Sequence, residues 1–185
     1  MKNNHISLLT VLLLMLAAAF SRIIPHPLNF SSVSALTLFG VAYFQRKHWA
    51  ILAAFAATLI SDLVINQVLY AGRYEVFYTG FYWQYLSYGL IAVAGILLLK
   101  KVSMFRILGA SLSASAIFFL VSNLGCWALD STIYTKDFKG LMLCYEAGLP
   151  FLQNTIAGDL FYSAALFGAY ALLSQQIPAL KYQKA

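Results

Sequence analysis

Two aspartates, Asp62 and Asp159, are the side chains most able to do chemistry in this sequence, because each lies within a stretch apolar enough to cross a bilayer. Placing a carboxylate at membrane depth costs about 2.5 to 3.5 kcal/mol on insertion scales, so such a group normally faces a bundle interior, a partner or a ligand. Proton coupling is a further role of such groups, although nothing in the sequence singles it out. We therefore expect the two aspartates to mark a site.

Each aspartate belongs to a polar stripe at helical spacing. The stripes are Thr58, Asp62 and Asn66 in one segment, and Thr155, Asp159 and Tyr162, with Asn154 beside them, in another. At about 1.5 Å per residue, both aspartates are predicted to lie roughly 12 to 15 Å below the same membrane face. The stripes either line a shared cavity or bond to each other, or to Arg22 or Arg73, as links between helices.

Residues predicted to lie above this depth supply further candidates. His26 stands between Pro25 and Pro27, which predicts a stiff loop that holds the imidazole near the cavity mouth, together with Asn29. A loop histidine of this kind serves either as an internal hydrogen-bonding residue or as a ligand to substrate or metal. Tyr78 and Trp83 belong to an aromatic-rich stretch, which reads either as an interfacial belt alone or as a belt that also offers a stacking surface.

The composition determines the broad class. Of 185 residues, 62% are hydrophobic and only 10% are charged, which is too little polar surface for a water-soluble globule of this size. The net charge of +6 does not predict nucleic-acid binding, because the basic residues fall at the ends of apolar segments. We expect one integral membrane domain with the lipid bilayer as its surroundings.

Six apolar segments predict six transmembrane helices, since about 20 residues span the hydrocarbon core. Their expected ranges are about 6–21, 31–44, 49–70, 81–99, 105–123 and 149–173, the second being short. The first segment resembles a signal peptide, but we interpret it as a retained helix. The stretch 124–148 is predicted to be the longest and most polar loop.

The distribution of Lys and Arg predicts the orientation. With the N-terminus inside, eight basic residues fall on the inner side and four on the outer side, as the positive-inside rule requires. Both termini are therefore expected to be inside, with the loops 22–30, 71–80 and 124–148 outside. Any chemistry is expected on the outer side.

Catalytic and metal-binding templates are missing from the sequence. It contains no GxSxG, P-loop, CxxC or HExxH motif, so we expect neither an enzyme nor a metal site. An enzyme that acts on a lipid or isoprenoid with the two aspartates as acid and base stays an alternative, and a structural or assembly subunit is another. Cys126 and Cys144 fall on the same predicted side, and whether they form a disulfide stays open.

Four strings carry a family resemblance: residues 20–31 (FSRIIPHPLNFS), Ser61-Asp62, residues 122–127 (SNLGCW) and residues 140–159, which end in PFLQNTIAGD. They resemble a family of small bacterial membrane proteins known as a domain of unknown function with a suggested role in transport. The resemblance covers nearly the whole chain and implies a multi-pass protein of the bacterial cytoplasmic (inner) membrane.

The layout is also distantly similar to the S components of energy-coupling factor (ECF) vitamin transporters. That likeness implies a six-helix bundle with both ends inside, a ligand held near the outer face, and small residues on helix one that contact a coupling subunit with ATPases. Here the small residues run from Ala17 to Ser21. A corrinoid is one ligand this likeness implies, with His26 facing cobalt, although the second outer loop has no cysteine.

We therefore expect a membrane substrate-binding and transport protein that captures a small, vitamin-like nutrient from the outer face. No cofactor is expected. The residues predicted to bind the substrate are His26, Asn29, Asp62, Asn66, Tyr78, Trp83, Asn154 and Asp159.

Overall fold

The computed structural model describes residues 2–73, 75, 77–130 and 132–180, and side chains from Ile6 onward. Within these ranges the chain forms six α-helices, two short 3-10 turns at Ser21–Ile23 and Pro178–Leu180, and no strand. The helices are α1 (Lys2–Phe20), α2 (Val33–Tyr43), α3 (Lys47–Tyr70), α4 (Phe81–Leu98), α5 (Met104–Leu129) and α6 (Phe138–Gln176).

Five of these helices, all except α2, are long and apolar enough to cross a membrane. Their outward faces carry large apolar side chains that a water-soluble protein would bury, for example Leu13, Leu52, Leu97, Phe161 and Leu172. Such a surface is stable in contact with lipid, where exposed hydrocarbon carries no penalty. The prediction of an all-helical membrane protein is confirmed at this level.

The short helix α2 lies at the centre of the bundle. Its residues are apolar or small, every position from Val33 to Ala42 is buried, and it packs against each of the other five α-helices. A helix that is hydrophobic all round belongs in a core. Its 11 residues cover only about 16 Å, roughly half of a bilayer core, so the second predicted span is a short central helix.

Two hydrogen bonds orient the first helix against the last. The Ser7 and Tyr170 hydroxyls lie 3.1 Å apart, and Ser21 Oγ donates to the Tyr162 hydroxyl at 3.0 Å. The beginning of α1 therefore lies beside the end of α6. Helix α6 therefore ends at the end of the bundle from which α1 starts, and the two helices run in opposite directions there.

The predicted loop 124–148 is wrong. Helix α5 continues to Leu129 and α6 already begins at Phe138, with Pro150 inside it, so the connection covers only residues 130–137. The start of α6 is capped by Asp137, whose carboxylate accepts a 2.7 Å hydrogen bond from the Gly140 N–H.

The connection between α1 and α2 is held against α6 by two contacts. Asn154 Nδ2 donates to the Leu28 carbonyl at 3.0 Å. One turn further, Gly158 lets the chain approach so closely that a Cβ there would stand 2.9 Å from the Ser31 nitrogen. Asn29 adopts a left-handed conformation at φ 64°, which asparagine tolerates better than most residues. This connection lines one side of the cavities described below.

Candidate ligand-binding cavity

Four adjoining cavities lie beneath and beside the α1–α2 connection, and Asn29 contributes to the wall of every one. We call them together the basin. The loop cavity, about 690 Å³, lies between residues 22–29 and the second half of α3. The aromatic cavity, about 580 Å³, lies between α4 and α5. The Asp159 chamber has about 160 Å³ and the Asn123 cavity about 190 Å³.

In the loop cavity, Asp62 is paired with a cation. The Arg22 guanidinium lies 2.7 Å from Asp62 Oδ1 and donates a second hydrogen bond to Ser61 Oγ at 2.6 Å. The pair is partly open to the cavity, with side-chain exposures of 14% for Arg22 and 28% for Asp62. Asp62 thus has one of the partners that the sequence left open, and it also faces space that a ligand can occupy.

Asp159 has a different environment. It is 1% exposed, and Ser115 Oγ on α5 donates to its Oδ2 at 2.7 Å. Ser34 on α2 supplies a second hydroxyl contact. Within the described part of the chain, no cation forms an ion pair with this carboxylate. Asp159 is part of the wall of the chamber that Arg22 and Asn29 also line, so the two aspartates reach adjoining spaces.

The predicted depth of Asp159 needs correction. Counted from the true start of α6 at Phe138, it lies about 32 Å along the helix, instead of the 12 to 15 Å expected from a start near residue 149. Asp62 lies about 12 Å before the end of α3, as expected. The stretch of α6 between Phe138 and Asp159 is therefore much longer than the stretch of α3 between Asp62 and Tyr70.

On the α4 side, the wall of the basin is connected by a series of side-chain hydrogen bonds and one ring-stacking contact. The Tyr78 hydroxyl donates to Gln84 Oε1, and Gln84 Nε2 donates to the Tyr88 hydroxyl at 2.7 Å. Burial, and then the Asp62 charge, raise the pKa of Tyr78. Tyr88 stacks on Phe118 of α5 with 11° between the ring planes. Gln84 therefore connects the loop cavity to the aromatic cavity and the Asp159 chamber.

Trp83 forms part of the wall of the aromatic cavity. It fits against α5 because Gly125 has no Cβ, which would lie 2.3 Å from the indole. Its Nε1 is the one buried side-chain nitrogen or oxygen without a hydrogen-bond partner in the described part of the chain. An unpaired buried donor of this kind costs about 1 to 3 kcal/mol.

The predicted site residues take four positions in the structure. Five line the loop cavity: His26, Asn29, Asp62, Asn66 and Tyr78. Trp83 lines the aromatic cavity and Asp159 its own chamber. Asn154 lines none of the four cavities and instead holds the loop at the Leu28 carbonyl. His26 Nδ1 lies 2.6 Å from the Ile24 carbonyl oxygen, so the imidazole both stiffens the loop and borders the cavity.

Sequence reasoning did not predict the wall residues Gln84 and Phe118, nor Ser115, which lies behind the wall and bonds to Asp159. Gln84 is the single amide within an aromatic run, a signal that could have been noticed. Ser111 and Ser115 are one turn apart on α5, and serines at such a spacing are typical of close helix packing. They do join α5 to α6, because Ser111 Oγ donates to Ser163 Oγ at 2.7 Å, but Ser115 also serves the carboxylate.

The described residues provide no group of three or more His, Cys, Asp or Glu side chains suited to hold a metal ion. Cys126 and Cys144 are both free thiols. Cys126 lines the aromatic cavity and the Asn123 cavity, whereas Cys144 is buried and contacts the Asn123 carbonyl at 3.3 Å. The basin thus offers hydroxyl, amide, carboxylate and aromatic groups.

Comparison with curated proteins and with solved structures finds no match to this chain. A family model does match, and it covers residues 2–180, nearly the whole sequence. This chain belongs to the family of unknown function DUF6580.

Proposed function

We propose that this chain is a membrane substrate-binding and transport protein that captures a small, vitamin-like nutrient from the outer face of the bacterial inner membrane. In this proposal both termini are inside, and the bundle works like the S component of an ECF vitamin transporter. The alternative enzyme reading has no observation of its own in its favour.

The observation that carries the proposal is the basin itself. Its largest cavity, about 690 Å³, falls within the 300 to 1,000 Å³ that small-molecule sites usually have. Polar groups from α3, α4 and the α1–α2 connection converge on it, while aromatic side chains supply apolar walls. A few polar groups in a largely apolar concavity are what a small-molecule site needs for orientation and specificity.

The charge distribution supports an outward-facing basin. The basin lies at the end of the bundle where α3 and α5 finish and α4 begins. Arg46, Lys47, Lys100, Lys101 and Arg106 lie next to the opposite ends of these helices. Since basic connections remain inside, the basin would open to the outside.

The energy for transport would come from a coupling subunit with ATPases, because this sequence has no nucleotide-binding motif. In the small-residue strip of α1, Ala17 is exposed, whereas Ala18 and Ala19 are buried and Ser21 bonds to Tyr162. Only the Ala17 side is thus free to contact a partner helix. Retention of ATPase subunits on affinity-tagged protein would test this part.

Native mass spectrometry of gently extracted protein tests the proposal, because a bound small molecule adds its mass to the protein. We expect a single such molecule in the wild type. Ile65→Trp should abolish it, since Ile65 lines the loop cavity and an indole group there would take up space that the ligand needs. The matched control is Val68→Trp on the same helix, where the side chain is exposed and lines none of the four cavities.

Loss of the bound mass in Ile65→Trp and its retention in Val68→Trp would support the basin as the binding site. The mass would also identify the ligand class, including a corrinoid. A wild-type protein without any bound molecule, even when extracted from cells grown in rich medium, would count against the proposal.

A further inference from the structure

The charge of the basin is opposite to the charge of the chain. The whole sequence has 12 Lys and Arg against 6 Asp and Glu. Among the described residues that line the four cavities there is one such cation, Arg22, and there are four acids: Asp62, Glu75, Asp130 and Asp159. A cleft lined by one sign of charge concentrates ligands of the opposite sign.

Arg22, the single Lys or Arg among the described residues that line the basin, already has two partners. It pairs with Asp62 at 2.7 Å and donates to Ser61 at 2.6 Å. An anionic ligand would have to displace Asp62 from this pair and would then face the released carboxylate. Binding of an anion is therefore disfavoured by the geometry of the loop cavity.

Asp159 is the buried acid of this set, and among the described residues no cation is paired with it. It is 1% exposed, its contacts are the hydroxyls of Ser115 and Ser34, and within the described ranges no Lys, Arg or His forms an ion pair with it. Hydroxyl donors partly solvate a carboxylate, but a buried charge without a counter-ion remains costly. Arg22 lines the same chamber but is paired with Asp62, so a further cation in the Asp159 chamber would remove most of that cost.

The same chamber is lined by two aromatic side chains. Tyr88 and Phe118 both line it, and their rings are nearly parallel with centroids 5.9 Å apart. Aromatic faces attract ammonium groups through the ring quadrupole, most strongly where water is excluded. A carboxylate beside two aromatic rings is thus a suitable environment for an alkylammonium group.

We propose that the ligand of this protein carries a positively charged ammonium group, which binds in the Asp159 chamber with Asp159 as its counter-ion and Tyr88 and Phe118 beside it. This inference rests on the proposed function, since it names the chemical class of the captured molecule. The remainder of the ligand occupies the loop cavity.

Three probes that share one ring and differ in charge test the inference: benzylammonium, benzyl alcohol and benzoate. Each is added to the purified full-length protein in detergent, and the midpoint of thermal unfolding is recorded against concentration. We expect benzylammonium to raise the midpoint and to bind at least about tenfold more tightly than the other two, as charge-assisted hydrogen bonds are about twice as strong as neutral ones.

Variants connect the effect to the chamber. Asp159→Asn should remove the preference for benzylammonium, and Phe118→Leu, which leaves the carboxylate intact, should weaken benzylammonium binding by about threefold to tenfold. Glu146→Gln is the matched control, because Glu146 is an exposed acid on the same helix and lines none of the four cavities. It should respond as the wild type does.

Equal responses to the three probes, or an unchanged preference in Asp159→Asn, would overturn the inference but leave the proposed function standing. Preference for benzoate would do the same. Unchanged benzylammonium binding in Phe118→Leu would overturn the part assigned to the aromatic side chains. If no probe stabilises the wild type, the ammonium assignment fails, whereas the proposed function is decided independently by the mass of the co-purified molecule.

Discussion

Substituting Gly158 by Ala should push the α1–α2 connection away from α6. In the wild type, the connection crosses α6 at this glycine, and an added Cβ would lie 2.9 Å from the Ser31 nitrogen, 3.2 Å from the Phe30 Cα and 3.3 Å from the Phe30 carbonyl carbon. All three neighbours are backbone atoms. They cannot rotate out of the way as the end of a flexible side chain can, so the loop itself has to move.

The magnitude follows from two opposing effects. Overpacking typically costs about 1 to 3 kcal/mol, whereas replacing a helical glycine by alanine gains about 1 kcal/mol of helix propensity. Gly168 on the same helix has no neighbouring heavy atom within 4 Å of an added Cβ. Because Gly168→Ala shares the propensity gain, the difference between the two variants isolates the overpacking effect. Gly158→Ala should therefore be about 1 to 3 kcal/mol less stable than Gly168→Ala.

The free energy of unfolding, measured by titration with SDS in mixed micelles, gives this difference directly. Hydrogen exchange provides a second, local measurement: backbone amides of residues 24–32 should exchange faster in Gly158→Ala and unchanged in Gly168→Ala. Occupancy by the co-purified ligand should fall only in the first variant. If both variants have the same stability within about 0.5 kcal/mol and the same exchange in this segment, the loop is not docked on Gly158 and the reasoning is refuted.

Two further perturbations test the charged groups. Arg22→Met and Asp62→Asn should each lower the free energy of unfolding by about 1 to 3 kcal/mol. This is less than the 3 to 5 kcal/mol of a fully buried pair, because the side chains are 14% and 28% exposed. The double variant should lose less than the sum of the two single losses, and additive losses in a double-mutant cycle would contradict the pair. The hydrogen bond from the Gly140 N–H, followed by that from Thr135, lowers the pKa of Asp137. The unfolded chain then binds more protons than the folded one between this lowered pKa and about 3.9, so the stabilisation of the α6 start is complete above that range and is lost as pH falls through it. Hydrogen exchange of residues 138–142 should speed up below about pH 4 in the wild type, and Asp137→Asn should remove this dependence.

Membrane class and the approximate position of most helices could be predicted from the sequence, because both depend on local hydrophobicity. Helix α4 was expected to begin at residue 81 and α3 to end at residue 70, and both do so. Polar helix ends were less predictable. Residues 138–148 include Lys139, Tyr145 and Glu146 and lack the apolar character of a span, yet they form helix because Asp137 caps the first turn.

The candidate cavity was predictable in part. Residues such as His26, Asn29 and Asp62 stand out because their polarity or loop chemistry contrasts with an apolar sequence. Phe118 and Tyr88 do not stand out, since aromatic residues within an apolar helix are ordinary. Only the packing of α4 against α5 brings their rings together at 5.9 Å and makes them a wall.

By itself the sequence determined that this is an all-helical membrane protein, because hydrophobicity and helical periodicity are properties of neighbouring residues. It also identified two acids whose burial requires a reason. The tertiary structure alone decided that reason, and it differs between the two acids. Asp62 pairs with Arg22, from the turn after α1, whereas the partners of Asp159 among the described residues are hydroxyls from α2 and α5. These partners are distant in the chain, so no local pattern encodes their pairing, and it arises only when the helices pack around α2.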